Sequence, residues 1–371
     1  MRIGFEAKRA FYNQSGLGNY SRSTIEHLTK FFPSNNYFLF TPSVKDHIYT
    51  KIPAQAETVK PSGISGGLLK SFWRTFRMSG AIKRRNLDIF HGLSNELPHN
   101  AHKTGAKTVV TIHDLIFLRY PELYAAADRA IYLKKFKYAA QIADTVIAIS
   151  EQTKTDIINF LDIDESKIDV VYQGCNPIFS KEISQKQKIE AAGKYNLPKE
   201  YMLYVGTVEK RKNALSVVKA LNENNIDLPF IIIGKKTDYQ NEIEDYIIKH
   251  KMENQVMIFN NIPFSDFPAI YQQALLFIYP SVFEGFGIPI IEAHNSGVPV
   301  ITTRGGCFSE AGGFAARYID PHDTDEIGAA IKEISEDEQI RARMVKDGKE
   351  YTEKFSEERI SKNMMNVYLK I

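Results

Sequence analysis

Short apolar runs alternate with amphipathic stretches along almost the whole chain, and few folds can use that pattern. A brief, continuously apolar run bounded by turn residues reads as a strand buried on both faces. The amphipathic stretch after it reads as the helix that covers one of those faces. Repeating the pair gives a layered α/β architecture with mainly parallel sheets. In the first half the strand candidates are RIGFEA (2–7), YFLF (37–40), LDIFH (87–91), KTVVTI (107–112), TVIAIS (145–150) and IDVVY (168–172). Helical patterns lie between them, among them 18–32 and 126–143.

At 371 residues the chain is long for one domain. A polar, lysine-rich stretch, SKEISQKQKIEAAGK (180–194), has no strand pattern and reads as the linker and the start of a second domain. A new series follows: YMLYVG (201–206), LPFIIIG (228–234), QVMIF (255–259), LLFIYP (275–280) and VPVIT (298–302), with a helical tail over 356–369. Two such halves joined by one linker make a cleft, and open α/β sheets bind ligands beyond the carboxyl ends of their strands. The formal charge of +3 is too small to argue for nucleic acid. Cys175 and Cys307 make neither a disulfide framework nor a metal spacing, which fits a reduced, cytoplasmic setting. The N-terminal MRIGFEAKRAF lacks the long apolar run of a signal peptide, and no stretch approaches the ~18 apolar residues of a membrane span.

The chemistry-bearing segments fall at strand ends. In SVFEGFGIPIIEAHNSG (281–297) two carboxylates, Glu284 and Glu292, stand eight positions apart around a glycine-bracketed turn. The order is strand, glycine loop, helix start at Pro289, a geometry in which backbone N–H groups face an anion. In YVGTVEKRKN (204–213) a strand ends at Gly206, and Arg211 and Lys212 follow; two cations there can neutralise a diphosphate. Asn213 is placed to cap the next helix. In SGLGNY (15–20), Gly16 and Gly18 allow close backbone approach to a ligand, and Asn19 is placed as a helix cap. Ser21 occupies the position of the third glycine of a dinucleotide fingerprint, which excludes that site and leaves a diphosphate or acceptor contact. In VTIHDL (110–115), His113 follows a buried strand; it is either a hydrogen-bonded structural residue or a group facing the ligand, with Asp114 orienting it or capping the next turn. HGLSNELP (91–98) is a candidate acceptor wall, and Glu310 a further cleft residue. Within LLKSFWRTFRMSGAIKRR (68–85), Leu69, Phe72, Trp73 and Phe76 share one helical face, and Lys70, Arg74, Arg77, Lys83, Arg84 and Arg85 are basic. It is either a helix packed on the sheet by its aromatic face or a contact with anionic membrane. No HExxH spacing and no D-x-D pair after a strand is present, so no metal site is expected.

On EGFGIPIIEA (284–293) and the G-x-x-E-x-R-K-N pattern of 206–213, the chain resembles the retaining family-4 glycosyltransferases of GT-B fold. The resemblance implies two Rossmann-like parallel-sheet domains facing across a cleft, here 1–180 and 181–355, with the closing helix 356–371 returning to the first. It implies transfer of a hexose from a nucleotide diphosphate-sugar to a saccharide or lipid-linked acceptor, with no cofactor, metal or nucleic acid. Glu284 would contact donor-sugar hydroxyls and Glu292 the ribose. The N–H groups of Phe286, Gly287 and Ile288 would cradle sugar and phosphate, as would the backbone at Gly206. Arg211 and Lys212 would hold the diphosphate, and His113 would lie near the reacting carbon. Asn261 and Ile262 would hold the base by main-chain groups. HGLSNELP followed by VTIHDLIFLRYPE looks like bacterial enzymes of surface-polysaccharide assembly, often mannosyl- or rhamnosyltransferases, which favours mannose and GDP-mannose; the 68–85 segment would place the protein on the inner membrane face. The chain departs from the family pattern at Thr207, where an arginine is common, at Asn261, where a glycine is usual, and at Phe314, where an aspartate is common. A sugar-nucleotide epimerase and a non-catalytic sugar-nucleotide-binding protein are the alternatives.

Overall fold

Parallel strands dominate the computed structural model, which describes residues 1–14, 16–44, 48–49, 52–61 and 67–371; Ser15 of the SGLGNY segment lies outside the described residues. The first sheet contains β1 (Arg2–Glu6), β2 (Asn36–Phe40), β3 (Ala56–Val59), β4 (Ile89–Gly92), β5 (Lys107–Ile112), β6 (Thr145–Ala148) and β7 (Ile168–Val170), in the order β3-β2-β1-β4-β5-β6-β7. The second contains β8 (Met202–Val205), β9 (Phe230–Ile233), β10 (Val256–Phe259), β11 (Leu276–Tyr279), β12 (Val300–Thr303) and β13 (Ala316–Ile319), in the order β10-β9-β8-β11-β12-β13. Every strand pair is parallel. The α/β architecture read from the alternation is therefore present twice.

The chain divides into two units, Met1–Gly174 with Glu357–Ile371, and Cys175–Ser356. The division falls ahead of residue 181 because Phe179 packs on Tyr271 and Phe264, with ring centroids 5.2 and 5.8 Å away. The stretch 180–194 is not a bare linker. Gln185–Tyr195 is a helix closed by a capping box, in which Ser184 and Gln187 satisfy each other's backbone. The closing helix Glu357–Lys370 is tied to the first unit: Glu357 pairs with Lys30 at 2.6 Å and His27 at 3.1 Å, and the Tyr368 hydroxyl meets His91 Nδ1 at 2.7 Å.

Burial explains why the strands were continuous apolar runs. On β5, Val109 faces a core with Phe5, Ile89, Met364 and Tyr368, while its neighbour Val110 faces the opposite core with Phe40, Phe90, Trp73 and Met78. Both faces are covered, so both residue parities are apolar.

Three local expectations change. The 18–32 helix is Gly16–Phe31, so Asn19 lies inside the first turn and is not the cap; its Oδ1 accepts from Arg22 Nη2 at 2.6 Å. Gly18 has no room for a side chain, because a Cβ there would lie 1.9 Å from the Asn13 carbonyl oxygen. The 68–85 segment is broken by a π turn, Trp73–Arg77, between helices Gly67–Phe72 and Met78–Arg84. Trp73 is buried, whereas Leu69, Phe72 and Phe76 are exposed, so the aromatic residues do not pack on the sheet as one face. Two of the six basic residues are engaged as well: Arg74 turns inward to Glu6 and Glu96, and Arg85 pairs with Glu57 at 2.9 Å.

Strand order reverses between β1 and β4 in the first sheet and between β8 and β11 in the second. These are the switch points at which the loops on either side diverge and leave a crevice.

Candidate functional site

The loops that leave β8 and β11 build the site of the second unit. Gly206 ends β8, and β9 presses against it: a Cβ on Gly234 would lie 1.7 Å from the Gly206 carbonyl oxygen. The chain then makes the 3-10 turn Lys210–Lys212 and enters helix Ala214–Glu223 through Asn213, whose φ is 57°. Contrary to the expectation from sequence, Asn213 does not cap that helix with its side chain; Nδ2 donates to the Pro321 carbonyl at 2.7 Å and anchors the loop. The two loops are joined by a backbone bond of 2.8 Å from Val282 N–H to the Arg211 carbonyl.

This junction brings Arg211, Lys212 and Glu284 together. Arg211 Nη1 and Lys212 Nζ each stand 2.9 Å from Glu284 Oε1. The Tyr279 hydroxyl donates to the same oxygen at 2.9 Å, and Ser281 Oγ at 3.0 Å. Lys212 also donates to the Tyr279 hydroxyl at 2.5 Å, and Arg211 reaches Glu209 and the Phe283 carbonyl. Burial alone would push the Glu284 carboxyl up; the charges of Lys212 and Arg211 outweigh it and hold the group at about 2. Burial likewise opposes the charged form of Arg211, but Glu284 and Glu209 hold it above the ordinary guanidinium value. The Tyr279 and Tyr204 phenols are pushed up, chiefly by burial, and stay protonated. The result is a fixed, ionised cluster.

Glu292 is in the opposite condition. Helix Ile288–Asn295 starts beyond Gly287, with Pro289 in its first turn. Glu292, one turn in, accepts from the Tyr271 hydroxyl at 3.2 Å. Burial lifts its carboxyl to about 7, against the opposing effect of that hydrogen bond. Two glutamates on one loop and helix therefore differ in charge state near neutrality because one has cations beside it and the other does not. Phe286 is buried with its ring 5.5 Å from Phe355, a packing contact. Gly287 and Ile288 sit at the helix entrance, where a Cβ on Gly287 would meet Ala311 at 3.0 Å. Asn261 is exposed and Ile262 half-buried beyond the end of β10, and Glu310 is half-buried on helix Gly306–Gly312.

His113, Gly16 and Gly18 belong to the first unit. His113 follows β5, and its Nε2 lies 2.9 Å from the Leu93 carbonyl, so Nε2 carries the proton. Its backbone N–H donates to Asn95 Oδ1 at 2.8 Å, and Tyr20 lies edge-on at 4.6 Å. Burial lowers it to about 4, so it is a neutral imidazole at physiological pH. Asp114 accepts from the Ile116 N–H at 3.2 Å, which caps the next turn. In HGLSNELP, His91 is wholly buried between Thr111 and Tyr368 and is part of the core. Among the described residues no group of three His, Cys, Asp or Glu side chains is gathered that could hold a metal ion.

Tyr279, Ser281 and Cys307 were not read as site residues from sequence. The Cys307 thiol donates to the Glu284 carbonyl at 3.1 Å, from a different helix. Tyr279 and Ser281 had one legible signal, their place at and just beyond the end of an apolar strand.

Comparison with known proteins identifies the family and the fold. Residues 15–178 match the family model described as Glycosyltransferase Family 4, and residues 185–351 that described as Glycosyl transferases group 1. The chain is 26% identical over 384 residues to the O-antigen chain mannosyltransferase B of Escherichia coli, covering 99% of each sequence. Of solved structures, a glycosyltransferase from Rickettsia africae ESF-5 matches with a TM-score of 0.77 at 17% identity, over 100% of this chain and 97% of that one. Anabaena Alr3699/HepE, solved in complex with UDP and glucose, matches with a TM-score of 0.75 at 17% identity over 100% of both chains. At such identities the structural likeness is one of fold. With both family models matched in succession and both Rossmann-like sheets present, the chain belongs to the family-4 glycosyltransferases of GT-B fold.

Proposed function

We propose that this glycosyltransferase is a retaining, metal-independent hexosyltransferase that takes mannose from GDP-mannose and gives it to a saccharide or lipid-linked saccharide. The observation that carries the reading is the convergence of Arg211 and Lys212 on Glu284 at the switch point of the second sheet. A leaving diphosphate gains negative charge as the glycosidic bond breaks. Two cations already desolvated and fixed by Glu284, Glu209 and Tyr279 stabilise that charge without reorganising, an effect of about 3 kcal/mol per well-placed donor. They do the work for which other transferases use a divalent cation.

Each site residue then has a part. Lys212 and Arg211 turn to the diphosphate. The four contacts of Glu284 fall on Oε1, and Oε2 accepts a sugar hydroxyl. The N–H groups at Phe286, Gly287 and Ile288, with Gly206, lie along the sugar and phosphates. Glu292 binds the ribose hydroxyls in its ionised form, and main-chain groups at Asn261 and Ile262 receive the base. On the first unit, Gly16 and Gly18 would lie by the diphosphate or the acceptor, and neutral His113, its Nε2–H held by the Leu93 carbonyl, would lie near the reacting carbon and accept a donor-sugar hydroxyl at Nδ1; it does not transfer a proton. No nucleophilic side chain is assigned. The acceptor attacks on the face the diphosphate leaves, and the departing phosphate oxygen takes the acceptor's proton.

Mannose is favoured because the E. coli relative is named an O-antigen chain mannosyltransferase. No helix of the described residues is long and apolar enough to cross a membrane. Exposed Leu69, Phe72 and Phe76 beside Lys70 and Arg77 support peripheral contact with an anionic membrane surface on its cytoplasmic side.

The test is a thermal-shift panel of GDP-mannose, UDP-glucose and dTDP-rhamnose, followed by transfer to a mannoside acceptor with the product anomer read by NMR. GDP-mannose should raise the melting temperature most, by mass action, and the product should be α-linked. An inverted anomer, or no shift with any donor, would remove the reading.

A further inference from the structure

Glu284 and Glu292 are each met by a tyrosine, and the two tyrosines belong to one stack of rings. On β11 (LFIY), Phe277 and Tyr279 have the same parity and share a face of the sheet. Tyr279 stacks on Tyr204 of β8, with centroids 5.9 Å and planes 25° apart. Phe277 lies 6.1 Å from Tyr279 at 18°, and Tyr271, from the helix Phe267–Tyr271, lies 5.5 Å from Phe277 at 26°. All four rings are fully buried, and Phe179 closes the Tyr271 end edge-on at 5.2 Å. Rings packed in this way attract one another and leave no space for a second rotamer. The hydroxyls at their tips are therefore fixed points.

The Tyr279 hydroxyl accepts from Lys212 Nζ at 2.5 Å and donates to Glu284 Oε1 at 2.9 Å. An ammonium has three N–H groups. Lys212 gives one to Tyr279 and one to Glu284, and the third is left for a phosphate oxygen. Without the phenol oxygen Glu284 still has Arg211 and Ser281, so the charge cluster survives and the aim of Lys212 is lost. The Tyr271 hydroxyl donates to Glu292 Oε2 at 3.2 Å, and no ion pair holds Glu292 among the described residues. That hydrogen bond favours the ionised carboxylate, which burial opposes. Cys175 also stands beside Glu292, and burial keeps its thiol protonated.

Resting on the donor-site reading above, we propose that Tyr279 and Tyr271 are positioning residues, one for each carboxylate of the pair. Tyr279 aims Lys212 and Glu284 and so acts on the chemical step. Tyr271 holds Glu292 and so acts on nucleotide binding. The ring stack between them fixes both from one support.

The test uses the full chain, with GDP-mannose or UDP-glucose as donor, whichever turns over, and GDP and UDP as calorimetric probes. Tyr279→Phe and Tyr271→Phe keep each ring in its stack and remove only the oxygen. Tyr279→Phe should lower kcat about tenfold, while the donor KM and the diphosphate Kd stay within about threefold. Tyr271→Phe should leave kcat near wild type. It should weaken the diphosphate about fivefold at pH 7, where the wild-type Glu292 carboxyl is half ionised, and recover toward wild type by pH 9. Without the phenol hydrogen the carboxyl ionises at higher pH, so the loss is largest near neutrality and fades once both proteins are ionised. The nucleotide's own ionisation is common to both. Tyr37→Phe removes an equally buried hydroxyl from the first unit and should move none of these quantities. Where a Phe variant does not fold, 3-fluorotyrosine at that position keeps the shape and makes a stronger donor and a weaker acceptor. At position 271 it should move the affinity midpoint to lower pH, and at position 279 it should lower kcat alone. Wild-type kcat in a folded Tyr279→Phe protein, or a Tyr271→Phe protein that binds as wild type at pH 7 or is weakened equally at every pH, would overturn the inference and leave the donor reading standing. A wild type that binds neither GDP nor UDP would remove the donor reading, and the two positioning roles with it.

Discussion

Replacing Glu292 by Gln should stabilise the protein at alkaline pH and weaken nucleotide binding at the same time. The Glu292 carboxyl is lifted to about 7 by burial, from an ordinary value of 4.5. Below pH 4.5 it is protonated in the folded and unfolded chain alike. As pH rises from there, the unfolded chain releases its proton while the folded chain keeps it, so stability falls until pH passes about 7. The difference corresponds to about 3 kcal/mol at one unit per 1.36 kcal/mol, which solvent at the half-buried side chain reduces to about 1–3 kcal/mol. Gln keeps an acceptor for the Tyr271 hydroxyl and carries no charge to bury. Glu292→Gln should therefore melt several degrees higher than the wild type at pH 8 and at the same temperature at pH 4. Calorimetric titration with GDP at pH 8 should show about tenfold weaker binding, the cost of exchanging a charged acceptor for a neutral one. Wild-type affinity should also fall as pH drops below 7, since ribose hydroxyls need the ionised carboxylate, and the Gln protein should follow only the ionisation of the nucleotide. A variant that melts lower at pH 8, or gains equally at pH 4 and pH 8, would refute the argument that an uncompensated charge is stored there.

Lys212→Ala should lower kcat/KM about 100-fold with the fold retained by circular dichroism, because the lysine acts on charge that appears in the transition state; unchanged turnover would exclude it from the diphosphate site. Gly18→Ala should destabilise the first unit by about 2 kcal/mol or more in urea titration, since its Cβ would meet a backbone carbonyl at 1.9 Å and not a movable side chain. Activity should persist in excess EDTA, and a loss restored by magnesium or manganese would show that the two cations do not suffice. Co-sedimentation with anionic vesicles should fade by roughly 0.5 M salt and be absent with zwitterionic ones; changing Leu69 and Phe72 to Ser should reduce it, and their having no effect would limit the contact to charge.

The strands were legible because the sheets are covered on both faces, which turns β9 (FIII) or β11 (LFIY) into an unbroken apolar word. The two strands not read from sequence, β3 (AETV) and β13 (ARYI), are both edge strands, where one side has no neighbour and burial is weak. The helix Gln185–Tyr195 was hidden for a different reason. It buries only Ala191, so it has almost no apolar stripe to read. Its legible signal was local, Ser184 with Gln187 three positions on, the spacing of a capping box.

The two switch points show what spacing along a chain can and cannot reveal. At the second, Glu284 stands out because its loop carries glycines and its cations are adjacent in sequence, Arg211 beside Lys212. At the first, Glu6 is the last residue of an apolar run and looks like a strand end, and the arginine that binds it lies 68 residues further on. The physical arrangement is nonetheless similar. In each unit a buried glutamate at the carboxyl edge of the sheet gives Oε1 to an arginine. In the second unit Tyr279 and Ser281 complete that oxygen's partners, and the cluster is fixed before any ligand arrives. In the first unit Glu6 Oε2 is left unmatched in an aromatic cavity. A preformed charge cluster suits an anion that is the same in every turnover. A single unmatched acceptor, in a cavity lined by aromatic rings and lysines, is not fixed by protein partners in that way, so the two glutamates share a place in the fold and differ in what surrounds them.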